Sequence, residues 1–132
     1  MNKKTIVVLI LLGTLLATGC TSEPMPENIL KEQIYCIKFN QGNEMYDLMS
    51  NEMKEYYTKD DLANKLSIRK EMGIYGINDY NIIEKTVVSE TVVTMKVEVA
   101  WNLDGSQKPE IHNTEFVLED GLWKINSDPL FK

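Results

Sequence analysis

Histidine and cysteine are almost missing from this chain: one His and two Cys stand among 132 residues. A metal centre needs several His, Cys or carboxylate ligands converging, so neither a metal nor a cofactor is expected. A Gly-Xaa-Ser-Xaa-Gly elbow, a phosphate-binding glycine loop and a Cys–His pairing are also missing. Positive charge is in deficit. The 14 Lys and Arg face 20 Asp and Glu, a net charge of −6, which argues against nucleic acid as a partner because that calls for a basic footprint. Nor is there an apolar run of the roughly 20 residues that a spanning helix needs.

What is present at the start is shorter. Lys3 and Lys4 precede Ile6-Val7-Val8-Leu9-Ile10-Leu11-Leu12, and Leu15-Leu16-Ala17 complete the apolar stretch. A basic start, a short apolar run and small residues at its end match a secretory signal. Ala17-Thr18-Gly19-Cys20 resembles the bacterial lipobox. That resemblance implies a diacylglyceryl group on the Cys20 sulfur, cleavage after Gly19, palmitate on the mature protein, and a place on the extracytoplasmic face of the cell membrane. Two acyl chains at about 0.8 kcal/mol per buried methylene suffice for stable anchoring. The organisation expected is a signal peptide over 1–19, a lipidated Cys and tether over 20–26, and one domain over 27–132.

Removing 1–19 leaves 113 of the 132 residues, enough for one core. The removed part holds two Lys and no acid, so the remainder carries −8 against −6 for the whole chain. An anionic membrane should repel such a domain, not flatten it onto the surface. Cys36 is then the one thiol left, either buried and inert or open to pairing between chains. It sits in the apolar phrase Ile34-Tyr35-Cys36-Ile37, which favours burial.

Periodicity divides the domain in two. Leu30, Ile34 and Ile37 fall at i, i+4, i+7, predicting a helix from Glu27 to about Asn40 that starts after Pro26 and ends at Gln41-Gly42-Asn43. A shorter helix holds Met45, Leu48 and Met49 and breaks at Ser50-Asn51. Thr58-Lys59-Asp60-Asp61 has capping-box form, with Leu62, Leu66 and Met72 behind it and Gly73 as the stop. After Gly76 the period becomes 2. Strands are predicted over 78–88, 91–101, 110–118 and 122–125, with turns at Ser89-Glu90, Asp104-Gly105 and Glu119-Asp120-Gly121. Val93, Met95, Val97, Val99 and Trp101 share one face. Trp101 and Trp123 both fall on inward positions.

Helices first and a meander last make an α+β domain. "FNQGNEMYDLMS" (39–50), "YTKDDLANKL" (57–66) and "FVLEDGLWKI" (116–125) resemble the nuclear transport factor 2-like superfamily. The nearest resemblance is to small bacterial lipoproteins of that fold and to the amino-terminal domain of some penicillin-binding transpeptidases. The resemblance covers most of 27–126 and implies a cone in which N-terminal helices pack inside a curved antiparallel sheet. Its motifs specify a fold and carry no catalytic residues.

Members of that superfamily include isomerases, dehydratases and cyclases, whose chemistry needs a buried Asp or His base with Tyr or acid donors beside it. The candidates here are His112, Asp47, Tyr35 and Tyr46. His112 shares strand parity with Phe116, but Ile111, Asn113 and Thr114 offer it no orienting acid. Asp47 suits a solvated helix face, and the tyrosines suit amphipathic walls. The reading adopted is therefore a lipid-anchored module of the envelope that binds an envelope protein or a small apolar ligand without chemistry of its own. Two alternatives stay open: a small-molecule lyase or isomerase acting inside the cone, and a structural accessory of cell-wall or conjugation machinery.

Overall fold

The computed structural model describes residues 25–103 and 106–131, with backbone alone for Ile74, Tyr75 and Leu103. Cys20, the signal segment and the Asp104-Gly105 turn lie outside the described residues. Among the described residues three α-helices, α1 (Pro26–Lys38), α2 (Gly42–Leu48) and α3 (Lys59–Glu71), precede four strands, β1 (Ile74–Ser89), β2 (Val92–Leu103), β3 (Ser106–Glu119) and β4 (Leu122–Ile125). The strands form one antiparallel meander in the order β1-β2-β3-β4. The fold is α+β, with the N-terminal helices packed in a curved sheet as the resemblance implies.

α1 begins with Pro26 in its first turn and buries Leu30, Gln33, Ile34, Cys36 and Ile37. Its end comes earlier than the glycine suggested. Asn40 takes the left-handed conformation (φ 57°), a role Asn shares with Gly at helix ends. Gly42 instead opens α2. A Cβ there would lie 2.6 Å from the Ala63 amide nitrogen, so Gly42 is required by the close approach of α2 to α3. The capping box of α3 is present in full: Asp61 N–H donates to Thr58 Oγ1 (3.1 Å) and Thr58 N–H to Asp61 Oδ2 (2.9 Å). Leu62 and Leu66 are buried, whereas Met72 is 71 % exposed, correcting its expected place on the inward stripe. The stripe runs on to Arg69, three residues past Leu66.

On β2 the alternation holds without exception: Val93, Met95, Val97, Val99 and Trp101 are all buried. Pairing of β2 with β3 runs unbroken from Val92↔Val117 to Leu103↔Ser106. Against β1 it shifts at four places, and such bulges bend a strand and increase its twist. β3 starts at Ser106, ahead of the expected Glu110, because Pro109 lies on a stretch with no β4 neighbour, where a missing N–H leaves no ladder bond unmade. Trp123 is half-buried and packs against the core from the short edge strand β4, so it is less enclosed than its parity predicted.

The last residues complete the core. Pro129, Leu130 and Phe131 are buried. Gln33 Nε2, on α1, donates to the Pro129 carbonyl (2.8 Å), and Arg69 Nη2, on α3, to that of Leu130 (2.8 Å). Ser127 Oγ accepts from the Glu115 amide (3.0 Å) and lies 2.9 Å from Thr114 Oγ1. Interior side chains from two helices and the sheet thus hold the tail in place.

Candidate functional site

His112 occupies the inward side of β3, and its ring is largely covered. Trp101 stands edge-on to it at 6.5 Å and Phe131 lies 5.5 Å away. The structure also supplies the acid that sequence reasoning failed to find. Glu110, two residues earlier and hence on the same face, places Oε2 3.2 Å from His112 Nε2. The other three candidates lie on the helices, and two of them, Asp47 and Tyr46, share Lys59 as a neighbour. Asp47 is exposed on α2 and faces Lys59 at 3.7 Å. Tyr46 is half-buried, with the Lys54 and Lys59 ammonium groups 5.1 and 5.8 Å from its ring centroid. Tyr35 is exposed on α1, its ring 4.5 Å from that of Phe39.

Tyr57, unlike these, works on the tail. Its hydroxyl donates to Asp128 Oδ2 (2.7 Å) while Asp128 Oδ1 accepts from the Leu130 amide (2.8 Å). Burial, reinforced by the bond to Asp128 and its charge, pushes the phenol up to about 12, so it remains a donor at any ordinary pH. Cys36 is buried, and burial pushes its thiol up to about 11, with Glu44 and Glu32 adding to the effect. A thiol so far from ionisation is a poor nucleophile and a poor ligand.

Beside Trp101 a cavity of about 250 Å³ opens between the end of α1, α3 and the start of β1. Ile37, Leu66 and the indole give it apolar walls; Lys38, Arg69 and Lys70 give it positive charge. The Arg69 guanidinium lies 4.7 Å from the Trp101 ring centroid, a stacked cation–π arrangement. Burial draws Arg69 below its usual value, and Asp128 and Glu110 oppose that; the group stays cationic. Two N–H groups here are buried without an acceptor, Arg69 Nη1 and Trp101 Nε1. Sequence reasoning missed this site. The available signal was a cation at the position where the Leu62–Leu66 stripe continues, which marks a charge drawn inward.

No protein-family model matches the chain, and no curated protein sequence is similar to it. Among solved structures, a SEC-C motif-containing protein from Rhodopseudomonas palustris is similar with a TM-score of 0.65 at 13% identity, over 87% of this chain and 84% of its own. A second SEC-C motif-containing protein, from Psychrobacter arcticus, gives 0.63 at 9% identity, over 82% of this chain and 62% of its own. A putative scytalone dehydratase from Novosphingobium aromaticivorans gives 0.46 at 19% identity over 75% of each chain. Identities this low speak to the fold alone.

Proposed function

We propose that the chain is a lipid-anchored, extracytoplasmic binding module of the cell envelope with no chemistry of its own. The observation that carries this reading is the closure of the sheet's interior by the chain's own tail. Phe131 lies over His112, Leu130 and Pro129 are pinned by Arg69 and Gln33, and the inward face of β2 is packed from Val93 to Trp101. A substrate would find a packed core where a cone enzyme keeps its base. The lyase or isomerase alternative has one feature in its favour, the His112–Glu110 pair, but that pair meets aromatic rings, and no hydrogen bond to a tyrosine is seen for it among the described residues. No helix among the described residues is long and apolar enough to cross a membrane, so attachment rests on Ala17-Thr18-Gly19-Cys20. Anchoring there would raise the effective concentration of the module near envelope partners.

Two measurements test this. Metabolic labelling with palmitate should mark the wild type and not Cys20→Ser, which should accumulate as unprocessed precursor; labelling and cleavage of the variant would remove the anchor. A thermal-shift screen of envelope metabolites on the soluble domain should find a stabilising compound that mass spectrometry recovers unchanged after long incubation. Consumption of the compound by the wild type, lost in His112→Gln, would replace binding with catalysis.

A further inference from the structure

We infer that the cavity between Arg69 and Trp101 is a binding site for a small carboxylate with an apolar body. The inference rests on the binding-module reading and specifies its ligand. Its starting point is a pair of missing acceptors. The large majority of buried side-chain polar atoms in folded proteins have partners, and leaving one unmet costs about 1–3 kcal/mol. Arg69 Nη1 and Trp101 Nε1 are both unmet. The two nitrogens are enclosed, and the side chains that carry them stack on each other and both line the cavity. One acceptor group in that cavity would satisfy both.

Charge says that this acceptor is an anion. The cavity collects Lys38, Arg69 and Lys70, and no Asp or Glu stands among the described residues that line it, in a chain whose net charge is −6; Asp128 and Glu110 act on Arg69 from outside that lining. The end of α1 would ordinarily oppose an anion through its exposed carbonyls. Here three of those carbonyls are occupied: Tyr35, Ile37 and Cys36 accept from the amides of Phe39, Asn40 and Gln41. Close approach of β1 to this helix end depends on Gly76, where φ is +108° and a Cβ would come within 3.2 Å of Lys38 Cα.

Donor number and wall chemistry narrow the class. Arg69 Nη2 is held by the Leu130 carbonyl, and the two nitrogens without a partner are one charged, Arg69 Nη1, and one neutral, Trp101 Nε1. Two donors match the two oxygens of a carboxylate; a phosphate would turn further oxygens toward Ile37, Leu66 and the indole face. Those same walls suit a hydrocarbon or aromatic body. The volume of about 250 Å³ falls below the roughly 300–1,000 Å³ of sites for drug-sized molecules, so the ligand is small.

Benzoate is the probe, with benzyl alcohol and inorganic phosphate as controls on the intact soluble domain. The readout is the pair of indole N–H resonances in a nitrogen–proton correlation spectrum, assigned with Trp123→Phe. Benzoate should move the Trp101 resonance saturably and leave Trp123 in place, while benzyl alcohol and phosphate should bind at least about tenfold more weakly, the factor equivalent to about 1.4 kcal/mol. Arg69→Lys keeps the charge and loses the stacked fork, and should weaken benzoate about tenfold. Because Arg69 also holds the tail, Lys70→Gln serves as a second variant; it should weaken benzoate a few-fold with the melting temperature unchanged. An equal response to benzyl alcohol, a response to phosphate alone, or no saturable movement of the Trp101 resonance overturns the assignment. If a metabolite still stabilises the protein in the thermal screen, the module reading survives that failure; if none does, both fall.

Discussion

His112 and Arg69 both adjoin the indole of Trp101, and their hydrogen bonding differs. On the His112 side the chain meets its own needs: Glu110 faces the imidazole at 3.2 Å and Phe131 covers the ring. On the Arg69 side the chain stops short. Arg69 Nη2 holds Leu130, while Nη1, like the indole nitrogen, has nothing to donate to. A titratable ring on an inward strand position attracts attention as a base, yet the site with unspent hydrogen-bonding capacity is the one on the helix. Where a protein completes its own polar contacts in a closed core there is little left for a ligand; where it leaves buried donors open beside a cavity, the ligand is the missing partner.

Trp101 adjoins both groups, and removing it should have the largest effect. Trp101→Ala should destabilise by about 3–5 kcal/mol, much of the roughly 5–15 kcal/mol a domain holds, and abolish benzoate binding. Trp123→Ala should cost clearly less, since Trp123 is half-buried on the edge strand. Urea denaturation of both variants decides the order; equal costs would mean that the closing hairpin carries as much of the core as the centre of the sheet.

Opening the closed side comes next. Phe131→Ala should cost about 3 kcal/mol, the low end for an aromatic truncation. It should also expose His112, read as faster modification of the ring by diethyl pyrocarbonate. Unchanged modification would show that the tail is not what shields the histidine.

A smaller effect belongs to Tyr57, which ties the tail through Asp128. Its phenol is raised from 10.0 in the ordinary state to about 12 in the fold, so the protonated form is the one the fold favours. The stabilisation is fully present below pH 10 and is lost as pH rises through the folded value, so stability should fall between about pH 10 and 12. Tyr57→Phe removes the hydrogen bond at a cost of about 1 kcal/mol and should flatten that part of the profile. A wild-type profile already flat across this window would mean that the Tyr57–Asp128 bond does not hold in solution.

How much of this could be read in advance follows from the range of each interaction. The β2 face was legible because five alternating residues from Val93 to Trp101 report one buried surface. The capping box at Thr58 and Asp61 was legible because both of its hydrogen bonds are local. Glu110 was missed as the partner of His112 even though a two-residue spacing places both on one strand face: Ile111, Asn113 and Thr114 offer no acid, and Glu110 lies just beyond them. The cavity was beyond reach for a different reason. Arg69 meets Trp101 and Leu130, contacts across 32 and 61 positions that no local pattern encodes. Gly42 looked like a helix stop because glycine's commonest use is conformational; its real constraint, the approach of Ala63, again depends on a distant helix.

The smallest expected effect tests whether the two sides of Trp101 are separate at all. His112→Gln keeps an amide that can still donate to Glu110 and loses the ring that packs between Trp101 and Phe131. The side chain is 17 % exposed, so some of that lost packing can be replaced by water, and the stability change should be about 1 kcal/mol. The indole should stay where Arg69 stacks on it, because its other neighbours, including Phe131 at 6.5 Å, are unaltered. Benzoate affinity should therefore change by less than about twofold, well under the tenfold that accompanies 1.4 kcal/mol. A tenfold loss in a folded His112→Gln protein would mean that imidazole and guanidinium act on one ligand through the indole, and that the closed interior is an extension of the cavity and not its opposite.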